Sequence, residues 1–212
     1  MKLSTKLLAS IAVIGATIAP AQASIVFSFT QSGANVVMQA SGVLNTANLV
    51  SSTTGSWGGI GIENNGGGQS DIMGDTGMGS LDRGFGFNPG TSFSPWLGNM
   101  FTVNKFVWTR SGTTQFSTYV YPGGVRTPGI SISSTDMVGA LWTPNNSWTT
   151  AGTIAGLGMT AGNYAIVDAR TSESITIRIG QAAAQVPEPG SLALMGLALG
   201  ALVLSRRRRH TK

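Results

Sequence analysis

Apolar and polar residues alternate through Ile25-Val26-Phe27-Ser28-Phe29-Thr30, with Ile25, Phe27 and Phe29 on one face. That period of two predicts a first strand. Gln31-Ser32-Gly33-Ala34-Asn35 is rich in turn formers, and Val36 to Leu44 reads as a return strand with Ser41-Gly42 as a bulge. Further strands are expected over Phe101–Thr109, Gln115–Tyr121, Gly129–Ser133, Val138–Trp142 and Asn163–Asp168. The cleanest alternation is Ser174-Ile175-Thr176-Ile177-Arg178-Ile179, three isoleucines facing in and three polar residues out. Turn signals such as Pro122-Gly123-Gly124, Pro128-Gly129 and Gly162-Asn163 separate these runs. About eight strands at such spacing suggest an all-β body, a single sandwich or jelly-roll-like domain.

The two ends of the chain follow a different pattern. Lys2 and Lys6 precede an apolar run, Leu7 to Ile18, and Ala21-Gln22-Ala23 supplies small residues in A-x-A order. This is the layout of a secretory signal peptide over residues 1–23, which predicts a helix removed after Ala23 and handling by the Sec translocon and signal peptidase. Residues 24–185 form the body. At the other end Val186-Pro187-Glu188-Pro189-Gly190 is followed by an uncharged run, Ser191 to Ser205, and then by Arg206, Arg207, Arg208 and Arg209. The prolines fix φ and remove donors, so this turn resists incorporation into the helix that follows. The run predicts a short transmembrane helix over residues 191–205, about 22 Å long against a hydrocarbon core of roughly 30 Å. Snorkelling arginines and local thinning cover that deficit. The arginine cluster predicts a cytoplasmic C-terminus.

This tail resembles the C-terminal sorting signal of PEP-CTERM proteins, surface or secreted proteins of Gram-negative bacteria that make exopolysaccharide. The likeness lies in Val186, Pro187, Glu188 and Pro189, the short Gly/Ala/Leu-rich run and the terminal arginines, placed behind an export signal. It implies recognition by exosortase, an integral-membrane cysteine peptidase, and an anchor that is transient or retained. The body's opening, FSFTQSGANVVMQASGVLN, and its closing, GMTAGNYAIVDARTSESITIRIG, resemble a recurrent ectodomain type of the same group. That second resemblance implies a β-sandwich of unassigned function.

Composition changes the picture once the ends are set aside. The whole chain carries a formal charge of +5. Its body holds Arg83, Lys105, Arg110, Arg126, Arg170 and Arg178 against Glu63, Asp71, Asp75, Asp82, Asp136, Asp168 and Glu173, and so is nearly neutral. The basic character belongs to the terminal segments and gives no support to nucleic-acid binding. There is no cysteine, hence no disulfide and no thiolate metal site. Between Gly55 and Gly90 the chain is dense in glycine, which predicts long loops with short strands between them.

Candidate chemistry is sparse. The only histidine, His210, lies in the tail, so the body has no Ser-His-Asp or Cys-His arrangement and no imidazole ligand. Glycoside hydrolysis needs only two carboxylates, and Asp71, Asp75 and Asp82, with Glu63 nearby, are the available group. Their spacing selects no pair, and ordinary turn aspartates account for them better. The same three aspartates are the candidates for Ca²⁺, although the EF-hand order is absent. Trp57, Trp96 and Trp148 sit among Gly, Pro, Ser and Asn; packing under long loops is the default for them and a loop-borne saccharide platform the alternative, whereas Trp108 and Trp142 end apolar strands and read as core or rim.

These observations lead to an exported surface or extracellular-matrix protein, sorted by an exosortase, with no catalytic residues and no cofactor. It is expected first as an inner-membrane-anchored intermediate and then at the cell surface or outside the cell. The rival readings are an exopolysaccharide-binding module and, behind it, a glycoside hydrolase or lyase.

Overall fold

A computed structural model describes residues 24–180 except 57, 66–68, 78, 99 and 120–127. The expected signal helix and the transmembrane helix over 191–205 lie outside the described residues. The strands, in chain order, begin with β1 (Ser24–Ser32), β2 (Asn35–Gly42), β3 (Leu44–Asn45), β4 (Val50–Ser52) and β5 (Ile60–Asn65). They continue with β6 (Gln69–Gly74), β7 (Arg83–Gly86), β8 (Thr109–Ser111), β9 (Phe116–Tyr119) and β10 (Gly129–Ile132). The last are β11 (Met137–Val138), β12 (Leu141–Trp142), β13 (Ser147–Ala151), β14 (Gly162–Val167) and β15 (Ser174–Ile179). Helix among the described residues is limited to two single 3-10 turns, Ser94–Trp96 and Ser134–Asp136, so the fold is all-β.

Two six-stranded sheets carry the core. The first runs β14-β15-β1-β2-β13-β8 and the second β4-β7-β10-β9-β6-β5; a small third sheet is β11-β12-β3. The hairpin of β1 and β2 is in continuous register from Ile25 opposite Gly42 to Ser32 opposite Asn35. Ile25, Phe27 and Phe29 are fully buried, as the alternation predicts. On the other side β1 pairs in parallel with β15, Ser24 opposite Ser174 and Phe29 opposite Ile179, so the end of the body lies beside its beginning. Ile175, Ile177 and Ile179 face the core.

The inner faces of the two large sheets meet through aromatic rings. Phe27 of β1 stacks on Phe116 of β9 with centroids 4.6 Å apart. Trp142 of β12 meets the edge of Phe116 at 5.9 Å, which brings the small sheet onto the same core. Offset and edge-on pairs of this kind add to the apolar area that each ring buries.

Four expectations change. Ser41-Gly42 is not a bulge, because the ladder to β1 is uninterrupted. Gly42 instead has φ +97°, and a Cβ there would strike the carbonyl oxygen of Ser24. At this residue the chain leaves the first sheet, and Leu44 pairs with Trp142 in the third. Phe101–Thr109 is not a strand: it is pinned by single bridges from Phe101 to Met159 and from Lys105 to Ile62, and only Thr109 joins a ladder. Val138–Trp142 is a tight hairpin rather than a strand, with Met137 opposite Trp142 and Val138 opposite Leu141. Finally, the Gly-rich interior contains the hairpin of β5 and β6, paired from Ile60–Gly74 to Asn65–Gln69, and is more strand than its composition predicts.

Glycine has a second use in that interior. The chain beyond β4 folds back over the outer face of the second sheet, where Gly55 donates its N–H to Ser131 Oγ at 2.8 Å. Gly84 lies beneath, and a Cβ on it would come within 2.5 Å of the Thr53 carbonyl oxygen. Only small residues allow this close approach, and β9 and β10 are therefore buried on both faces.

Candidate functional site

The acidic residues of the Gly-rich interior are dispersed by the fold. Glu63 of β5 stands opposite Asp71 of β6 in the antiparallel register. Asp71 is 2% exposed, so it offers a substrate almost no surface. Glu63 Oε2 is buried without a hydrogen-bond partner, and burial pushes the Glu63 carboxyl above the ordinary glutamate range.

Asp75 has a structural task. Just past β6, it accepts from Ser56 Oγ at 2.6 Å and from the N–H groups of Gly58 and Gly59 at 3.0 and 3.2 Å. These contacts fasten the returning loop to the sheet. Asp82 lies elsewhere and accepts from the hydroxyl and the N–H of Ser134, both at 2.6 Å. The Ser134 hydroxyl, and next its N–H, hold the Asp82 carboxyl below the usual range. The three aspartates considered for Ca²⁺ are thus tied to different segments. No group of three or more His, Cys, Asp or Glu suited to a metal ion occurs among the described residues.

The described tryptophans pack inside. Trp96 and Trp148, for which the sequence offered both packing under loops and a sugar-binding face, are fully buried. Trp96 sits on the 3-10 turn Ser94–Trp96 and donates Nε1–H to the Tyr164 carbonyl at 3.0 Å, which joins this turn to β14. Trp148 belongs to β13, and its ring lies flat on Phe116. Neither offers a face to a sugar, because the surrounding Gly, Ser and Asn mark chain reversals rather than exposure. Trp57 lies outside the described residues. Trp108 and Trp142 are in the core, as expected.

The residues that carry sorting chemistry are those of the tail, Val186 to Arg209. Residues 185–209 match the sequence profile of the PEP-CTERM protein-sorting motif. This chain carries a PEP-CTERM sorting motif. The matched stretch takes in Pro187, Glu188, Pro189, the uncharged run and the four arginines, and so spans all three parts read from the sequence. A PEP-CTERM motif implies exosortase-dependent sorting of an exported protein, which is processed at the membrane and then reaches the cell surface or the medium. No curated protein and no solved structure matches the chain.

In this PEP-CTERM protein the body is delivered to the motif by β15. Gly180, the residue after that strand, donates its N–H to the Phe29 carbonyl at 2.8 Å. The motif therefore follows within a few residues of a strand held on both sides, by β1 and β14.

Two polar clusters went unrecognised in the sequence. Asp168, 3% exposed, accepts from the N–H of Asn88 and from the N–H groups of Arg170 and Thr171 at 2.9 and 2.8 Å. The Thr171 hydroxyl adds a further bond at 2.9 Å. Burial pushes this carboxyl up, but the donors outweigh it and hold it below the usual range. Glu173 accepts from the Asn45 N–H at 2.9 Å, while burial raises its carboxyl. The pair clasps the β14–β15 loop to the end of β3 and to the residues after β7. In the second cluster, Asn145 Oδ1 accepts from the N–H groups of Thr113 and Thr114, and Asn146 Nδ2 donates to the Thr114 carbonyl at 2.6 Å. Its only sequence sign was Asn145-Asn146, which reads as an ordinary turn. An open cleft beside the small sheet is lined by Thr46, Arg83, Phe85, Ser134 and Met137.

Proposed function

We propose that this protein is a non-catalytic surface or matrix protein, a single β-sandwich whose tail is recognised and cut by exosortase after export. The observation that carries this reading is the sorting motif at residues 185–209, set directly behind a domain that closes on its own last strand. Signal peptide cleavage after Ala23 leaves Ser24 as the mature N-terminus. The Pro187-Glu188-Pro189 turn is the recognition element at the outer face, residues 191–205 cross the membrane, and Arg206 to Arg209 hold the C-terminus in the cytoplasm.

Of the three tryptophans behind the glycan-binding reading, Trp96 and Trp148 are buried, and Trp57 lies outside the described residues. Of the acids behind the hydrolase reading, Asp71 is buried, and Asp75 and the exposed Asp82 are engaged in loop contacts.

Replacing Pro187, Glu188 and Pro189 by alanine tests the proposal. Alanine removes the roughly 3 kcal/mol by which proline opposes helix, so the helix extends upward, and the only charge between Arg178 and Arg206 is lost. In a host that has exosortase the triple variant should be exported and folded but keep its full mass and fractionate with the inner membrane. Normal removal of the tail from that variant would leave only a generic membrane anchor.

A further inference from the structure

The parallel pairing of β1 and β15 sends the two ends of the body in opposite directions. Ser24 and Ser174 lie at one end of the first sheet, and Ile179, with Phe29, at the other. The surface around Gly180 is assembled from three segments. A Cβ on Gly180 would lie 3.1 Å from that of Ala161 and 3.5 Å from Ile154 Cδ1. Gly152 donates its N–H to the Ala34 carbonyl at 2.9 Å. Gln31 fastens them together: its Nε2 donates to the carbonyls of Gly33, Asn35 and Gly152 at 2.9, 3.0 and 3.1 Å, and its Oε1 accepts from the Ile154 N–H at 3.2 Å.

This exit end is sparsely charged: it is flanked by Arg178, opposite Ser28 and Asn163, and by Lys105. Residues 29–35 and 151–162 contain no Asp, Glu, Lys or Arg, and neither does 100–104, which joins them through the bond from Thr102 N–H to the Gly158 carbonyl. Ala34, Ala151, Ala155 and Ala161 are exposed on it. The opposite end carries Asp168, Arg170 and Glu173. The exit end is also close to the cutting point, because the six residues from Gly180 to Val186 reach at most about 20 Å when fully extended. A peptidase embedded in the membrane that takes hold of the turn works within about 20 Å of this end of the domain.

Building on the sorting function proposed above, we infer that the sparsely charged exit end organised by Gln31 is the surface on which the membrane-embedded sorting peptidase rests while it engages the motif. A rigid surface with few charges can be covered by a partner at little cost in buried ions, whereas added carboxylates would have to be buried with it.

The test is the rate at which the tail leaves the full-length protein in a host with exosortase, followed by pulse-chase and intact mass. Ala34→Glu with Ala155→Glu should slow removal about tenfold and leave the melting temperature unchanged, because both side chains are exposed. The far-end pair Val138→Glu with Arg170→Glu should cut at the unmodified rate. Inserting about twelve Gly/Ser residues after Gln181, a flexible span of roughly 20 Å, should restore the slow variant. Ala34→Lys with Ala155→Lys should be slowed as well; acceleration by lysine would mean that lipid headgroups, not the peptidase, meet this end. Unmodified rates in the glutamate pair, or a slow rate that the longer linker does not restore, would overturn the inference and leave the sorting function standing. Retention of the tail by the unmodified protein would instead remove the sorting function itself, and this inference with it.

Discussion

Phe116 and Trp148 lie face to face, with ring centroids 5.4 Å apart and planes inclined by 7°, although one comes from the second sheet and the other from the first. Trp108 tilts against the same indole, its centroid 6.4 Å away. Trp148 is therefore the piece that spans the two layers. Trp148→Ala should cost about 3–5 kcal/mol, the usual penalty for deleting a buried aromatic side chain, read as a lower midpoint in urea. A variant as stable as the parent would contradict the burial of this residue.

Asp168 sets an acid limit on stability. Its carboxyl is lowered from the ordinary value of 3.8 in the folded protein, so its contribution is complete above that value and is lost as pH falls through the folded one. Asp168→Ala leaves the N–H groups of Asn88, Arg170 and Thr171 without their acceptor and should cost about 3 kcal/mol at neutral pH. The penalty should shrink as acid titrates the parent, which thermal melts across pH 2 to 6 would measure on the order of single pH steps.

Glu63 has the opposite sign. Burial raises its folded value above 4.5, so the ionised form weakens the fold once pH rises through that range. Glu63→Gln should raise the melting temperature at neutral pH and leave it unchanged near pH 4, where the parent is already protonated.

Metal removal is expected to have no effect on the folded body. Asp75 and Asp82 are engaged by Ser56, the Gly58 and Gly59 N–H groups and Ser134, and Asp71 is buried in the β5–β6 ladder. Circular dichroism melts with and without EDTA should superimpose; a drop in melting temperature on chelation would mean that these acids hold a cation.

What was legible in the sequence was the alternation. Ile25 to Thr30 bury one face only, and in Ser174 to Ile179 the isoleucines face the core with Thr176 the one polar residue also buried, so both patterns record their position. β9 and β10 are buried along their whole length, β10 beneath the folded-back loop at Ser131, so Ser117 and Ser131 are as buried as Phe116 and Ile132 and the alternation is erased. Over Phe101–Thr109 apolar content misled, since Phe106 and Val107 are 45% and 60% exposed while Phe101 and Trp108 are buried. A run held by isolated bridges has no period to display. Turn chemistry gave the hairpin at Gly33-Ala34 but could not reveal that Trp148, next to Asn145-Asn146, enters a central strand. The sorting tail was legible for another reason: its proline turn, uncharged run and arginines act through residue type and order, without needing a fold to bring them together.

The place of β15 also fixes the order of events during secretion. It is the last strand of the body, yet it lies between β14 and β1 rather than at an edge. A chain that emerges N-terminus first can form the β1–β2 hairpin early, but Ile25, Phe27 and Phe29 wait for Ile175, Ile177 and Ile179, some 150 residues later, before their sheet is complete. Pairing across such a separation is slow. The first sheet therefore cannot be completed before residues 174–179 are available, and its closing strand is the last element of the body ahead of the sorting motif.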